Sequence, residues 1–183
     1  MGDILIAPAA NLASHCGIVE TYSKIGFCAH LTAKNPGMHR NIAATDVFKG
    51  AEVFRRDQLD DDKRNIIAEA IAFASDRVAW KLGPAAKRAL GGNADPGPKA
   101  KKRLDEMEAM LEGDAWKEAT KLPVVCSGFV VVCYWIAAFK MNNVLWAEIE
   151  LDYARTLPKD LRNYLITASK NGGTWLTKGE LTD

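Results

Sequence analysis

Short apolar runs crowd the first third of the chain, and helical periodicities occupy most of the rest. Asp3 to Ile6 and Cys16 to Tyr22 are β-prone stretches, and Ser23-Lys24-Ile25-Gly26 supplies a turn before a third run, Phe27 to Ala33. This arrangement predicts a hairpin of two adjacent antiparallel strands. After a loop carrying Asn35-Pro36-Gly37, the segment Glu52-Val53-Phe54-Arg55-Arg56 predicts a fourth short strand. From Asp61 to Lys81 the apolar positions Ile66, Ile67, Ala70, Ile71, Phe73, Ala74 and Val78 recur at helical spacing. An amphipathic helix follows, capped by Asp60, Asp61 or Asp62 and packed on the sheet.

Between Gly83 and Lys102 the pattern breaks down. Gly91-Gly92-Asn93-Ala94-Asp95-Pro96-Gly97-Pro98 suits no regular structure, and Lys87, Arg88, Lys99, Lys101, Lys102 and Arg103 make the stretch basic. It reads as a surface insertion at 83–102, with a substrate lid as the alternative. A second helix is predicted over Lys102 to Glu112, and a core helix from Cys126 to Lys140 with Val130, Cys133, Ile136 and Ala137 on the inner face that Cys126 shares. Pro158-Lys159-Asp160-Leu161 opens a last helix, and Gly172-Gly173-Thr174-Trp175 closes the pattern. Strands first and helices after, without internal repeats, predict one α+β domain over residues 1–183.

Composition narrows the function classes. With 48% apolar residues the chain can fill a single core, and 24 basic against 23 acidic side chains leave a net charge of +1. No global field draws nucleic acid or anionic lipid, so no nucleic-acid partner is expected. The longest apolar run, Val124 to Phe139 broken by Ser127 and Gly128, is too short for a transmembrane segment. Asp3 stands where an export signal carries basic residues, and Pro8 interrupts the apolar run after it. A protein made in the cytoplasm is expected, carried elsewhere only by a dedicated secretion system. The cysteines at 16, 28, 126 and 133 form no C-x-x-C pair, which argues against a structural zinc site; no metal and no cofactor are expected. Cys126 and Cys133 lie two helical turns apart, about 10 Å, and cannot pair with each other.

The candidate chemistry centres on Cys126-Ser127-Gly128-Phe129-Val130, directly after Leu122-Pro123-Val124-Val125. A cysteine at a helix start meets unpartnered N–H groups and the positive end of the helix dipole, both of which favour a thiolate. The same residue also suits a small buried position. A base must come from His15, His30 or His39. His15 opens the second β run, where alternation places it with Gly17 and Val19 and turns Cys16 the other way. Gly17 clears room over that face. If the Ser23 to Gly26 turn closes the hairpin, His30 becomes a near cross-strand neighbour of His15 and can orient its ring. His39, in Gly37-Met38-His39-Arg40, is assigned to a loop with no role, and Glu20 is a rival orienter on the Cys16 face.

Gly2-Asp3-Ile4-Leu5, Ser14-His15-Cys16-Gly17-Ile18-Val19, Val53-Phe54-Arg55-Arg56 ahead of a helix, and Cys126-Ser127-x-Phe129-Val130 together resemble a known pattern. It is that of the circularly permuted branch of the papain-like NlpC superfamily, in which the histidine hairpin precedes the cysteine helix. The lecithin retinol acyltransferase group has the same order. The resemblance implies a papain-like fold with Cys126 as nucleophile, His15 as general base, His30 as the polar residue orienting it, and the Cys126 N–H among the oxyanion donors. It implies a cysteine peptidase or amidase acting on peptidoglycan stem peptides. Without an export signal, such an enzyme is a delivered antibacterial effector acting in a target periplasm, with an immunity or secretion partner, or it acts on a cytoplasmic substrate. Two other readings stay open. One is acyl transfer or lipid ester and thioester hydrolysis, with an apolar entrance built from Tyr134, Trp135, Trp146 or Trp175; the other is an inactive papain-like binding module.

Overall fold

A computed structural model describes residues 1–7, 15–22, 26–32, 37–80, 102–103, 105–107, 109, 112, 122–142, 149–170 and 173–182. The apolar triplet Ile4–Ile6 forms β1, and the expected hairpin forms as β2 (Cys16–Tyr22) and β3 (Gly26–Thr32). β1 pairs on one side with β2, setting Ile4 opposite Ile18 and Ile6 opposite Cys16. On its other side it pairs with β5 (Glu52–Arg56), Ile4 facing Phe54. Strand alternation then sorts the side chains. Ile4, Ile6, Cys16, Ile18, Ala29 and Phe54 enter the main core, while Leu5, Val19 and Cys28 form a smaller cluster on the opposite face.

Two strands of the main sheet go beyond the sequence expectation. Gly37–Ala43, read as loop, is β4, paired antiparallel with β3, and it leads into the short helix α1 (Ala44–Phe48). The segment after the glycine pair forms β8 (Trp175–Glu180), antiparallel to β5. The sheet therefore has six antiparallel strands in the order β4-β3-β2-β1-β5-β8, and the strand expected fourth is fifth. Neither β4 nor β8 carries clean alternation, because each is an edge with partly solvated positions.

Among the three candidate aspartates, Asp60 is the cap: its carboxylate accepts the Lys63 N–H at 2.9 Å as α2 (Asp61–Arg77) begins. α2 stops at Arg77, four residues short of expectation. The β-prone Val78-Ala79-Trp80 leaves the helix as β6, which pairs parallel with β7 (Leu122–Val124). β7 delivers the chain into α3 (Cys126–Lys140), and Pro158–Lys170 forms α4. The described residues between 102 and 112 are helical, as expected, while the 83–102 insertion lies outside the described residues apart from Lys102.

α3 departs from the one-faced helix expected. All residues from Cys126 to Ala138 are buried, because β2 and β3 cover it on one side while α2 and α4 pack against it elsewhere. The architecture is α+β, an antiparallel sheet packed against helices with α3 at the centre. No described helix is long and apolar enough to cross a membrane.

Candidate active site

His15 stands immediately before β2, where its carbonyl accepts the Ala7 N–H at 2.9 Å. The Cys16 N–H belongs to the same peptide and points the opposite way, away from β1. It donates to the Cys126 thiol, and so does the Cys16 thiol. The start of β2 thus meets the start of α3. The His15 ring completes the set with a further hydrogen bond to Cys126.

These contacts decide the ionisation of Cys126. The hydrogen bond from the Cys16 thiol, reinforced by His15 and the Cys16 N–H, holds Cys126 well below the usual thiol range, although burial opposes it. Burial and the neighbouring Cys126 push Cys16 well above that range, so Cys16 keeps its proton and serves as donor. The helix end acts in the same direction. Val125 caps α3 without a side-chain hydrogen bond, and the first helical bond runs from Phe129 N–H to Val125 O at 3.0 Å. The N–H groups of Cys126, Ser127 and Gly128 therefore have no intrahelical acceptor and lie at the positive end of the helix dipole.

The segment preceding α4 clamps this helix end. Ser127 Oγ donates to Thr156 O at 2.7 Å, and Thr156 Oγ1 donates to Asp152 O at 2.8 Å. A Cβ on Gly128 would lie 2.3 Å from Tyr153 O, so only glycine permits the approach. Asp152 is itself buried and held by Arg103, Arg155 and the Ala154 N–H.

His30 lies on β3 and is 6% exposed. Extending the register Ile18↔Ala29 by one residue sets Gly17 opposite His30 and makes His15 its diagonal neighbour. The His15 Nε2 and His30 Nδ1 atoms are 2.8 Å apart, with the two rings inclined at 83°. Nδ1 of His15 is the nitrogen left to face Cys126. Burial, followed by His15 and His39, lowers His30 to about 4, so it is neutral at physiological pH. A neutral His30 can accept the His15 Nε2–H at Nδ1, which fixes the tautomer that presents Nδ1 of His15 to the thiol.

His39 corrects the loop assignment: it lies on β4 directly opposite His30, the two rings stacked 5.5 Å apart. Asn41, at φ 55°, supports the register shift that aligns them. Glu20 lies on the Cys16 face at the bulge in β2, ion-paired with Arg40, and does not join the histidines. Arg40 acts on Cys133, whose thiol burial pushes well upward. Tyr134, Trp135 and Trp175 are core residues, while Trp146 lies outside the described residues.

Comparison with family models, curated proteins and solved structures gives no match.

The geometry therefore stands on its own chemistry. It brings Cys126, His15 and His30 together, and it adds Cys16, whose donor role no sequence pattern marked because alternation turned it away from His15. Among the described residues, no group of three or more His, Cys, Asp or Glu side chains is arranged to hold a metal.

Proposed function

We propose that this protein is a cysteine-dependent amide hydrolase of papain-like type, related to the permuted NlpC pattern, with Cys126 as nucleophile, His15 as base and His30 as orienter. One observation carries the reading: the continuous relay from a thiol of lowered pKa through His15 to the 2.8 Å contact with a neutral His30. Such a set is the general requirement for nucleophilic catalysis by a thiol.

In this mechanism the Cys126 thiolate attacks the amide carbon, and the carbonyl oxygen becomes an oxyanion facing the N–H groups at the start of α3. The C–N bond breaks as the leaving nitrogen takes a proton from Nδ1 of His15, which leaves a thioester on Cys126. Water then gives one proton to Nδ1 as its oxygen attacks the thioester carbon, and the C–S bond breaks to release a carboxylic acid, which loses its remaining proton to solvent and departs as carboxylate. Cys126 returns as thiolate beside protonated His15.

The substrate class that fits the resemblance is the stem peptide of peptidoglycan, reached as a delivered effector. Incubating the protein with purified muropeptides and reading products by mass spectrometry tests this. Cleavage that falls at least about 10³-fold in Cys126→Ala and about 10²-fold in His15→Ala is expected. Full activity in Cys126→Ala would overturn the mechanism, and cleavage of other peptides but no muropeptide would overturn the substrate class alone.

A further inference from the structure

The structure assigns Phe48, the last residue of α1, as the positioning residue that holds His15 and His30 in their working planes, with Gly17 as its seat. Phe48 is fully buried, and one face of its ring lies parallel to His15 at 4° with 5.2 Å between centroids. Against His30 it stands at 87° and 5.6 Å. A single ring thus contacts both imidazoles and matches their mutual angle of 83°.

That angle has a chemical consequence. An imidazole N–H bond and an imidazole lone pair each lie in the plane of their own ring, so the His15 to His30 hydrogen bond forms only while both planes contain the line joining the two nitrogens. Rotation of His15 about its terminal torsion breaks the bond, and this torsion is intrinsically broad. Phe48, stacked flat on His15, blocks that rotation from one side. When His15 takes up a proton during turnover, the same face lies within cation–π range of the imidazolium.

The space for this ring comes from Gly17. A Cβ there would lie 2.6 and 2.7 Å from two carbons of Phe48, closer than carbon atoms approach, and 3.3 Å from Ala29 O. The room over the strand that Gly17 opens is filled by Phe48. Leu5, Val19, Cys28, Ala44 and Ala51 complete the cluster around it and carry no ring that could take over the stacking.

The kinetic part of this role rests on the hydrolase reading, so the decisive readout is one that needs no substrate. In full-length protein, the His15 Nε2–H should give a protected ring resonance in histidine-optimised ¹H–¹⁵N spectra. Phe48→Leu keeps an apolar side chain but removes the flat ring; Phe48→Met serves if the leucine variant does not fold. Each is expected to broaden that resonance beyond detection while leaving the backbone amide pattern folded, to slow iodoacetamide labelling of Cys126, and to lower kcat about tenfold with KM unchanged. Gly17→Ala should reproduce the loss by displacing the ring. A folded Phe48 variant that retains the resonance, or a wild-type protein that lacks it, would overturn the assignment. A protein that cleaves no amide but loses the resonance on Phe48→Leu would leave the assignment standing and remove the hydrolase reading.

Discussion

At the scale of single residues, Cys126 differs from the other cysteines chiefly in what it touches. All four are buried, and burial drives Cys28 up to about 12 and Cys133 well upward. Only Cys126 accepts hydrogen bonds from Cys16 and His15 at a helix start, and these reverse the effect of burial. Iodoacetamide should therefore label Cys126 at acid to neutral pH, well before the other three react, with peptide mapping to identify the site. Replacing Cys16 by Ala removes the largest cause of the lowered Cys126 value, so the labelling profile should move to higher pH, whereas Cys16→Ser keeps a donor and should move it less. His30→Gln, which lacks the fixed imidazole acceptor, should lower kcat about tenfold or more, measured on the same substrate as the Cys126 variants.

At the scale of elements, the clamp on α3 and the bulge in β4 do most to place the site. The close approach of Tyr153 O leaves no space for a methyl group on Gly128, so Gly128→Ala must move the 149–157 segment or the helix start. A loss of about 2 to 4 kcal/mol in denaturant unfolding is expected, together with slower Cys126 labelling. The bulge makes a separate prediction. Asn41 occupies the left-handed region, which glycine enters without strain and valine does not. Asn41→Gly should be close to neutral, and Asn41→Val should cost about 1 to 2 kcal/mol and disturb the His30–His39 stacking, measured by thermal unfolding and the histidine ring spectrum. β4 was invisible in the sequence for the same reason. Its residues Gly37–Ala43 mix glycine, two polar positions and a left-handed asparagine, and only pairing with β3 makes them a strand.

At the scale of the whole molecule, the buried histidine ties stability to pH. His30 titrates at about 4 in the folded protein against 6.5 when unfolded, so between these values the unfolded chain binds more protons. Stability must then fall as pH drops through 6.5 and level off near 4, by no more than about 3 kcal/mol from this group. The lowered Cys126 acts with the same sign, because its folded form releases a proton that the unfolded thiol keeps up to about 9. Thermal melts from pH 4 to 7 should show this rise, and His30→Gln should flatten the part below 6.5.

What the sequence encodes on its own follows from the range of the interactions involved. The β2–β3 hairpin, α2, α3, α4 and the candidacy of Cys126, His15 and His30 rest on alternation, helical periodicity, turn residues and a helix-start cysteine, all of which act within a few residues along the chain. The strand β8, the full burial of α3, the Cys16 donor and the wedge of Phe48 depend on partners tens of residues away, while β4 and the place of His39 depend on a bulged register against the neighbouring β3. No local pattern encodes them, since a residue's partner across a sheet is set by register, and register here is shifted by bulges that only the assembled sheet defines.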